Sequence, residues 1–285
     1  MDNIIVVKVG TSTLTRGQKQ INRVVVGDLA RQIAAIQRGE VLEGESQPRQ
    51  VILVSSAAIA MGREKLGRFP VESNSGESVI TKQMLAAIGQ PQLMQLYQEV
   101  FAAHYDVLTA QALLTYSDFS TPERRANARN TLLGLLSHNI VPIINENDVV
   151  ATEEIKFGDN DRLSAMVAEL VGAEFLVVLS DIEGLYTANP RLNPEARMLA
   201  EVERVDEQIL AMAGGSVGGQ GTGGMLSKVL AAKLATKAGI TTIVVNGQTP
   251  DALLRAVAGE KLGTRFLVET SKPGEVDFDK IGNVV

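Results

Sequence analysis

The feature that most narrows what this chain can fold into is a set of short, β-branched apolar runs. Residues 4–9, 51–55, 107–113, 140–144, 176–180 and 241–246 are almost continuously apolar and lack the alternation of a strand with one wet face. A strand buried on both faces reads this way, and sheets covered on both faces are mostly parallel. Segments with helical spacing lie between most of the runs, at 24–37, 80–103, 121–137 and 226–238. The fold class expected is therefore α/β, a three-layer α-β-α sandwich with a mostly parallel central sheet.

Elsewhere the rhythm breaks. Residues 38–50, rich in Gly, Glu, Gln and Pro, and residues 69–78 read as solvated connections. Residues 149–157 alternate weakly and read as a hairpin at the carboxyl edge of the sheet. Past Glu269 the apolar rhythm fades and charge rises. The expected organisation is one cooperative domain, 1–268, whose halves flank a cleft, followed by a loosely held tail, 269–285.

Composition removes several function classes. The net charge of −6 argues against a nucleic-acid partner or a membrane surface. With no cysteine there is no disulfide framework, thiolate metal site or catalytic thiol. Two separated histidines, His104 and His138, cannot build a histidine metal cluster. The N-terminus lacks the basic start and apolar stretch of a signal peptide, and no run approaches the roughly 20 apolar residues that span a bilayer. A soluble, cytoplasmic protein is expected.

In open α/β sheets ligands bind beyond the carboxyl ends of the strands, and four segments placed there are unusual. Lys8-Val9-Gly10-Thr11-Ser12 ends the first run: a lysine in a buried strand needs an anion, Gly10 permits close backbone approach, and two hydroxyls can donate to phosphate. Taken alone it could equally be a lysine snorkelling from an edge strand. Ser55-Ser56-Ala57-Ala58 is either a small-residue anion cradle at a helix start or a plain serine cap. Asn145-Glu146-Asn147-Asp148 and Gly158-Asp159-Asn160-Asp161 gather seven carboxylates and carboxamides, more than turns require. One of Asp159, Asn160 and Asp161 is expected to cap a helix beginning near Arg162, and the others can receive an ammonium group or organise cations. Finally, seven glycines fall within residues 214–224, followed directly by Met225-Leu226-Ser227-Lys228. A glycine-rich loop that opens a helix with a lysine in its first turn suits phosphate. It matches neither the P-loop nor the dinucleotide fingerprint. Nothing here resembles a nucleophile with its base. Phosphoryl transfer, which needs positioning and charge neutralisation, fits this inventory.

At these residues the sequence resembles the amino acid kinase superfamily and, within it, the glutamate 5-kinase (γ-glutamyl kinase) family. The segments 7–12, 145–148, 158–161, 184–187 and 221–225 occur in family order, and the resemblance covers residues 4–267. It implies the amino acid kinase fold and ATP-dependent phosphorylation of the L-glutamate side-chain carboxylate, the first step of proline biosynthesis, with Mg2+. Lys8 and Lys228 then resemble the pair that neutralises the transferring phosphoryl group, and Asp161 the carboxylate that orients them. Ser56, Asp148 and Asn160 match glutamate-binding positions, with Asn145 and Asp159 as neighbours. Lys8, Gly10, Ser180, Asp181, Thr222, Gly223, Gly224, Met225, Leu226, Ser227 and Lys228 match nucleotide-binding positions. Metal ligands are not assigned. The resemblance further implies L-proline as feedback inhibitor and a homo-oligomer. Acyl phosphates hydrolyse readily, so a transient contact with glutamate-5-semialdehyde dehydrogenase is also expected.

Three departures stand out. Family members often carry glycine where this chain has Ala57, the 38–50 connection is long, and the sequence stops before the C-terminal PUA domain that many bacterial members carry. Other kinases of the fold, which act on acetylglutamate, aspartate or uridylate, are the nearest alternatives. A catalytically dead amino-acid sensor is another. The many acceptors at 145–148 and 159–161 favour a free amino group, and Lys8, Asp161 and Lys228 together favour catalysis.

Overall fold

Strand β1 (Ile4–Val9) is buried at every position, which is why its sequence does not alternate. The computed structural model describes residues 3–40, 47–67, 78–151, 160–214 and 224–269. Much of the 38–50 and 69–78 connections, most of the expected 149–157 hairpin, and the tail beyond Glu269 lie outside the described residues. Around β1 the sheet gathers β2 (Gln50–Ser55), β3 (Thr109–Leu114), β4 (Val141–Glu146), β5 (Phe175–Ser180), β6 (Glu201–Val202), β7 (Thr241–Asn246) and β8 (Thr264–Phe266). Their order is β3-β4-β2-β1-β5-β7-β8-β6. Among the described residues every strand pairing is parallel except β7 with β8. The mostly parallel sheet of the sequence reading is thus observed, with two short reversed strands at one margin.

Helices cover both faces because successive strand residues point to opposite sides. Ile5, Val7 and Val9 of β1 pack with α1 (Thr11–Thr15), α2 (Arg23–Arg38), α3 (Ala58–Leu66), α4 (Val79–Tyr105) and α9 (Ala252–Val257). Ile4 and Val6 face α5 (Pro122–Ser137), α6 (Asn160–Val171), α7 (Glu207–Gly214) and α8 (Met225–Lys237). Both layers are dense in fully buried Leu, Ile, Val and Phe, each contributing about 1.5–3 kcal/mol of transfer free energy. Lys8 shares the parity of Ile4 and Val6, so the period of the strand sends it toward α6 and α8.

The chain first builds β2, β3 and β4 on one side of β1, then crosses to β5 and β7 on the other. The carboxyl end of β1 therefore sits where the winding reverses, the place where such sheets bind ligands. No helix among the described residues is long and apolar enough to cross a membrane.

Candidate active site

Two lysines meet one carboxylate behind the carboxyl end of β1. Lys8 Nζ lies 2.5 Å from Asp161 Oδ1, and Lys228 Nζ lies 3.1 Å from Asp161 Oδ2. All three side chains are almost wholly buried. Asp161 comes from the first turn of α6 and Lys228 from the first turn of α8, so three elements converge on one ion cluster. Ser227 Oγ also donates to Asp161 Oδ2 at 2.7 Å. The low dielectric of this setting strengthens each contact and makes each costly to break singly.

Three helices open onto the same space, and each begins on a residue whose side chain cannot cap. These residues are Gly10 before α1, Ala57 before α3 and Gly224 before α8. The parallel pairing of β1 with β2, continued by Ser56 N–H donating to the Val9 carbonyl at 3.1 Å, sets the first two side by side. A Cβ on Gly10 would stand 3.5 Å from Lys8 Nζ, in space a ligand can otherwise use. Ala57 is held at φ 91°, a left-handed conformation that penalises a residue with a Cβ.

Toward β2 and β4 the site is built of amides. Asn160 Nδ2 donates to Ser56 Oγ and to Asn145 Oδ1, both at 2.8 Å. Asn145 Nδ2 donates in turn to Gln90 Oε1 of α4 at 2.9 Å. Asp148, in the turn after β4, lines the same cleft. Burial pushes its carboxyl up from the usual 3.8 to about 6. Glu146 is raised too, by burial first and by the neighbouring Asp148 charge second.

Beyond β5 the cleft continues past Ser180, Asp181 and Gly184 to an apolar wall of Ile182, Tyr186, Pro190, Leu192 and Met212. The whole cleft has a volume of about 840 Å³. Of the residues marked in the sequence, Lys8, Gly10, Ser56, Asn145, Asp148, Asn160, Ser180, Asp181, Gly224, Met225 and Lys228 line it. Asp161 and Ser227 stand behind, joined to the lysines as described. Leu226 is not in the lining and is exposed. Its helix turns it away while bringing Met225 and Lys228 inward. Asp159, Thr222 and Gly223 lie outside the described residues. The sequence reading missed Gln90, Met212 and the wall at 188–192, although the segment following β5 was a place to look.

Comparison with known proteins places the chain in a family. The sequence model of the amino acid kinase family matches residues 3–246. A glutamate 5-kinase of Deinococcus radiodurans is 48% identical over 268 residues, covering 94% of this chain and 70% of its own. One of Herpetosiphon aurantiacus is 49% identical over 262 residues, covering 92% and 67%. Among solved structures, carbamate kinase from Giardia lamblia bound to AMP-PNP superposes with a TM-score of 0.65 at 19% identity, covering 94% of this chain and 99% of its own. UMP kinase from Bacillus anthracis gives 0.62 at 13% identity, covering 95% and 98%. At such identities the two structures speak for the fold alone.

Proposed function

This chain belongs to the amino acid kinase family, and we propose that it transfers the γ-phosphoryl group of ATP to the side-chain carboxylate of L-glutamate. The products are L-glutamyl 5-phosphate and ADP, the reaction of a glutamate 5-kinase that opens proline biosynthesis. The observation that carries this reading is the position of the Lys8–Asp161–Lys228 cluster. It lies between an amide-and-carboxylate end suited to an amino acid and an apolar-walled end suited to a nucleotide base.

The chemistry asks little of the protein beyond placement and charge. A carboxylate oxygen of glutamate forms the new bond to the γ-phosphorus as the bond to the β,γ-bridging oxygen breaks, and the electron pair leaves with ADP. The acceptor is already ionised at neutral pH, so no general base is needed. Lys8 and Lys228 stand where the migrating phosphoryl charge can be neutralised, and Asp161 holds both ammonium groups in place. The uncapped amides at α1, α3 and α8 add donors for phosphate oxygens.

Asp148, Asn160, Ser56 and Asn145 receive the amino acid, with Asp148 pairing with the α-ammonium. Its raised pKa fits a carboxylate that gains its counter-ion only with substrate. Mg2+ enters with the nucleotide. Such an ion is held by phosphates and one or two carboxylates, and Asp181 at the nucleotide end is the residue suited to that part. Feedback inhibition by L-proline, a homo-oligomeric and cytoplasmic enzyme, and a passing contact with glutamate-5-semialdehyde dehydrogenase belong to the same reading.

The deciding experiment offers the protein Mg-ATP, hydroxylamine and one acceptor at a time. L-glutamate should give a strong hydroxamate signal, whereas N-acetyl-L-glutamate and L-aspartate should give little. One lacks the ammonium and the other is short by a methylene. ADP release with UMP and no hydroxamate from any amino acid would overturn the reading.

A further inference from the structure

Helix α4 presents Gln90 on a turn whose backbone is tightly constrained. A Cβ on Gly89 would stand 1.8 Å from the Ala58 carbonyl oxygen and 2.4 Å from the Gly62 amide nitrogen, so only glycine lets α4 lie this close to the first turns of α3. Pro91 follows inside the helix and has no amide hydrogen. Gln90 is thereby fixed beside β4, with 7% of its surface exposed.

The direction of its amide is dictated from the far side. Asn145 Oδ1 accepts from the Glu146 backbone N–H at 2.9 Å and from Asn160 Nδ2 at 2.8 Å. With that oxygen committed, Asn145 Nδ2 must face Gln90, and Gln90 must answer with its oxygen, at 2.9 Å. Gln90 Nε2 is then buried without a hydrogen-bond partner among the described residues. An unmade bond on a buried donor is destabilising. For packing alone, a pair of apolar side chains at 90 and 145 would serve better.

We propose that Gln90 is a positioning residue for the amino-acid end of the cleft. It holds the Asn145 amide, which holds Asn160. Both hydrogens of Asn160 Nδ2 are thereby committed, to Asn145 and to Ser56 Oγ. The carboxamide oxygen of Asn160 is left as an acceptor for an α-ammonium, and the Ser56 hydroxyl keeps a hydrogen to donate to an α-carboxylate. Substrate recognition is thus tied to the α3–α4 contact through a single side chain that does not itself line the cleft. The proposal rests on the placement of the amino acid given under Proposed function.

The test compares three variants of the full chain in steady-state kinetics and thermal unfolding. Gln90→Met should raise KM for L-glutamate about tenfold, the size of one lost directional hydrogen bond, with KM for ATP and kcat within about twofold. Its melting temperature should change by only a few degrees, because removal of the orphan Gln90 donor offsets in part the acceptor lost to Asn145 Nδ2. Gln90→Glu keeps an acceptor oxygen toward Asn145 at the cost of a buried carboxyl. It should melt lower than the parent, while its KM for glutamate stays closer to that of the parent than the KM of Gln90→Met does. Asn160→Ala should raise KM for glutamate more than Gln90→Met does. A Gln90→Met protein that unfolds, or one with unchanged or equally raised KM values, overturns the positioning role and leaves the site standing if Asn160→Ala behaves as stated. An Asn160→Ala enzyme with normal KM for glutamate overturns the assignment of the amino-acid end, and the Gln90 proposal falls with it.

Discussion

Among the described residues, helices begin in two different ways depending on where they point. Away from the cleft one or two first-turn amides of each helix are bound by a side chain. Asn22 Oδ1 accepts from Val24 and Val25 at α2, Ser78 Oγ from Thr81 at α4, Thr121 Oγ1 from Arg124 at α5 and Asp206 Oδ1 from Ile209 at α7. At α9 the glutamine of another helix, Gln32, accepts from Leu253 and Leu254. At the cleft, α1, α3 and α8 start on Gly10, Ala57 and Gly224. A helix start has four amides without intrahelical partners, and a side-chain cap contributes about 1 kcal/mol. The cleft helices forgo that stability, and their donors stay available to an anionic ligand.

The largest expected effect comes from imposing the outer pattern on the inner one. Gly224→Asp would supply α8 with a cap and set a negative charge where phosphate should sit. We expect kcat to fall by about a hundredfold or more, the scale of losing one preorganised donor, with a melting temperature at or above that of the parent. Lys228→Met, which removes a charge from the same turn, should match the loss in kcat. The converse substitution, Thr121→Ala, should lower stability by about 1 kcal/mol and leave kcat alone. If Gly224→Asp kept its activity, the functional meaning of the uncapped ends would be lost.

The contrast extends from donors to an acceptor, with a smaller effect. Asp28 meets Arg31 and Asp118 meets Arg124, whereas Asp148 is partly buried at the cleft with its pKa lifted to about 6 by desolvation. Because the folded pKa lies above the ordinary 3.8, folding takes up a proton in that window. The contribution of Asp148 to stability is therefore greatest below about pH 4 and is lost as the pH rises through about 6. At pH 7 the ionised group is a net cost. Asp148→Asn should accordingly melt higher than the parent at pH 7, with the advantage shrinking toward pH 4. An ammonium ligand pairs with the ionised form, so in the parent KM for glutamate should rise as the pH falls below about 6. The variant should have a high KM for glutamate at every pH and an ordinary KM for ATP. Normal glutamate affinity in the variant would take Asp148 out of the site.

How much of this could be read in the sequence follows from how local each cause is. The run at Ile4–Val9 announces a strand buried on both faces, and the lysine within it announces a need for charge, so β1 and Lys8 were legible. The glycine-rich approach to Met225 and the lysine three residues later were legible for the same reason. Strands β6 and β8 were not, because two and three residues carry no period. Gln90 looked like an ordinary polar position on a long helix, since its significance depends on Asn145, 55 residues away. The outward turn of the Leu226 side chain was not legible either, because adjacency in sequence to Met225 does not give the direction of one helical step.

The smallest predicted effect concerns α3, which of α1, α3 and α8 is the helix that opens on alanine rather than glycine. Ala57 holds φ 91° and ψ 6°, where a Cβ costs on the order of 1 kcal/mol that glycine does not incur. It is 5% exposed and borders Ser56 in the cleft lining, so its methyl group belongs to the wall of the amino-acid end. Ala57→Gly removes the backbone strain but also makes the unfolded chain more flexible, and these two terms oppose each other. The net change in stability should stay within about 1 kcal/mol, in the stabilising direction because the native φ is positive. Removing the methyl frees space beside Ser56 and leaves the uncapped amides of α3 in place, so KM for L-glutamate should shift by no more than about threefold while kcat holds, the scale of one methyl-sized contact. A large loss of kcat in Ala57→Gly would mean that the methyl, rather than the open helix end behind it, sets the geometry of the site, and the contrast between capped and uncapped ends would then need a different explanation at α3.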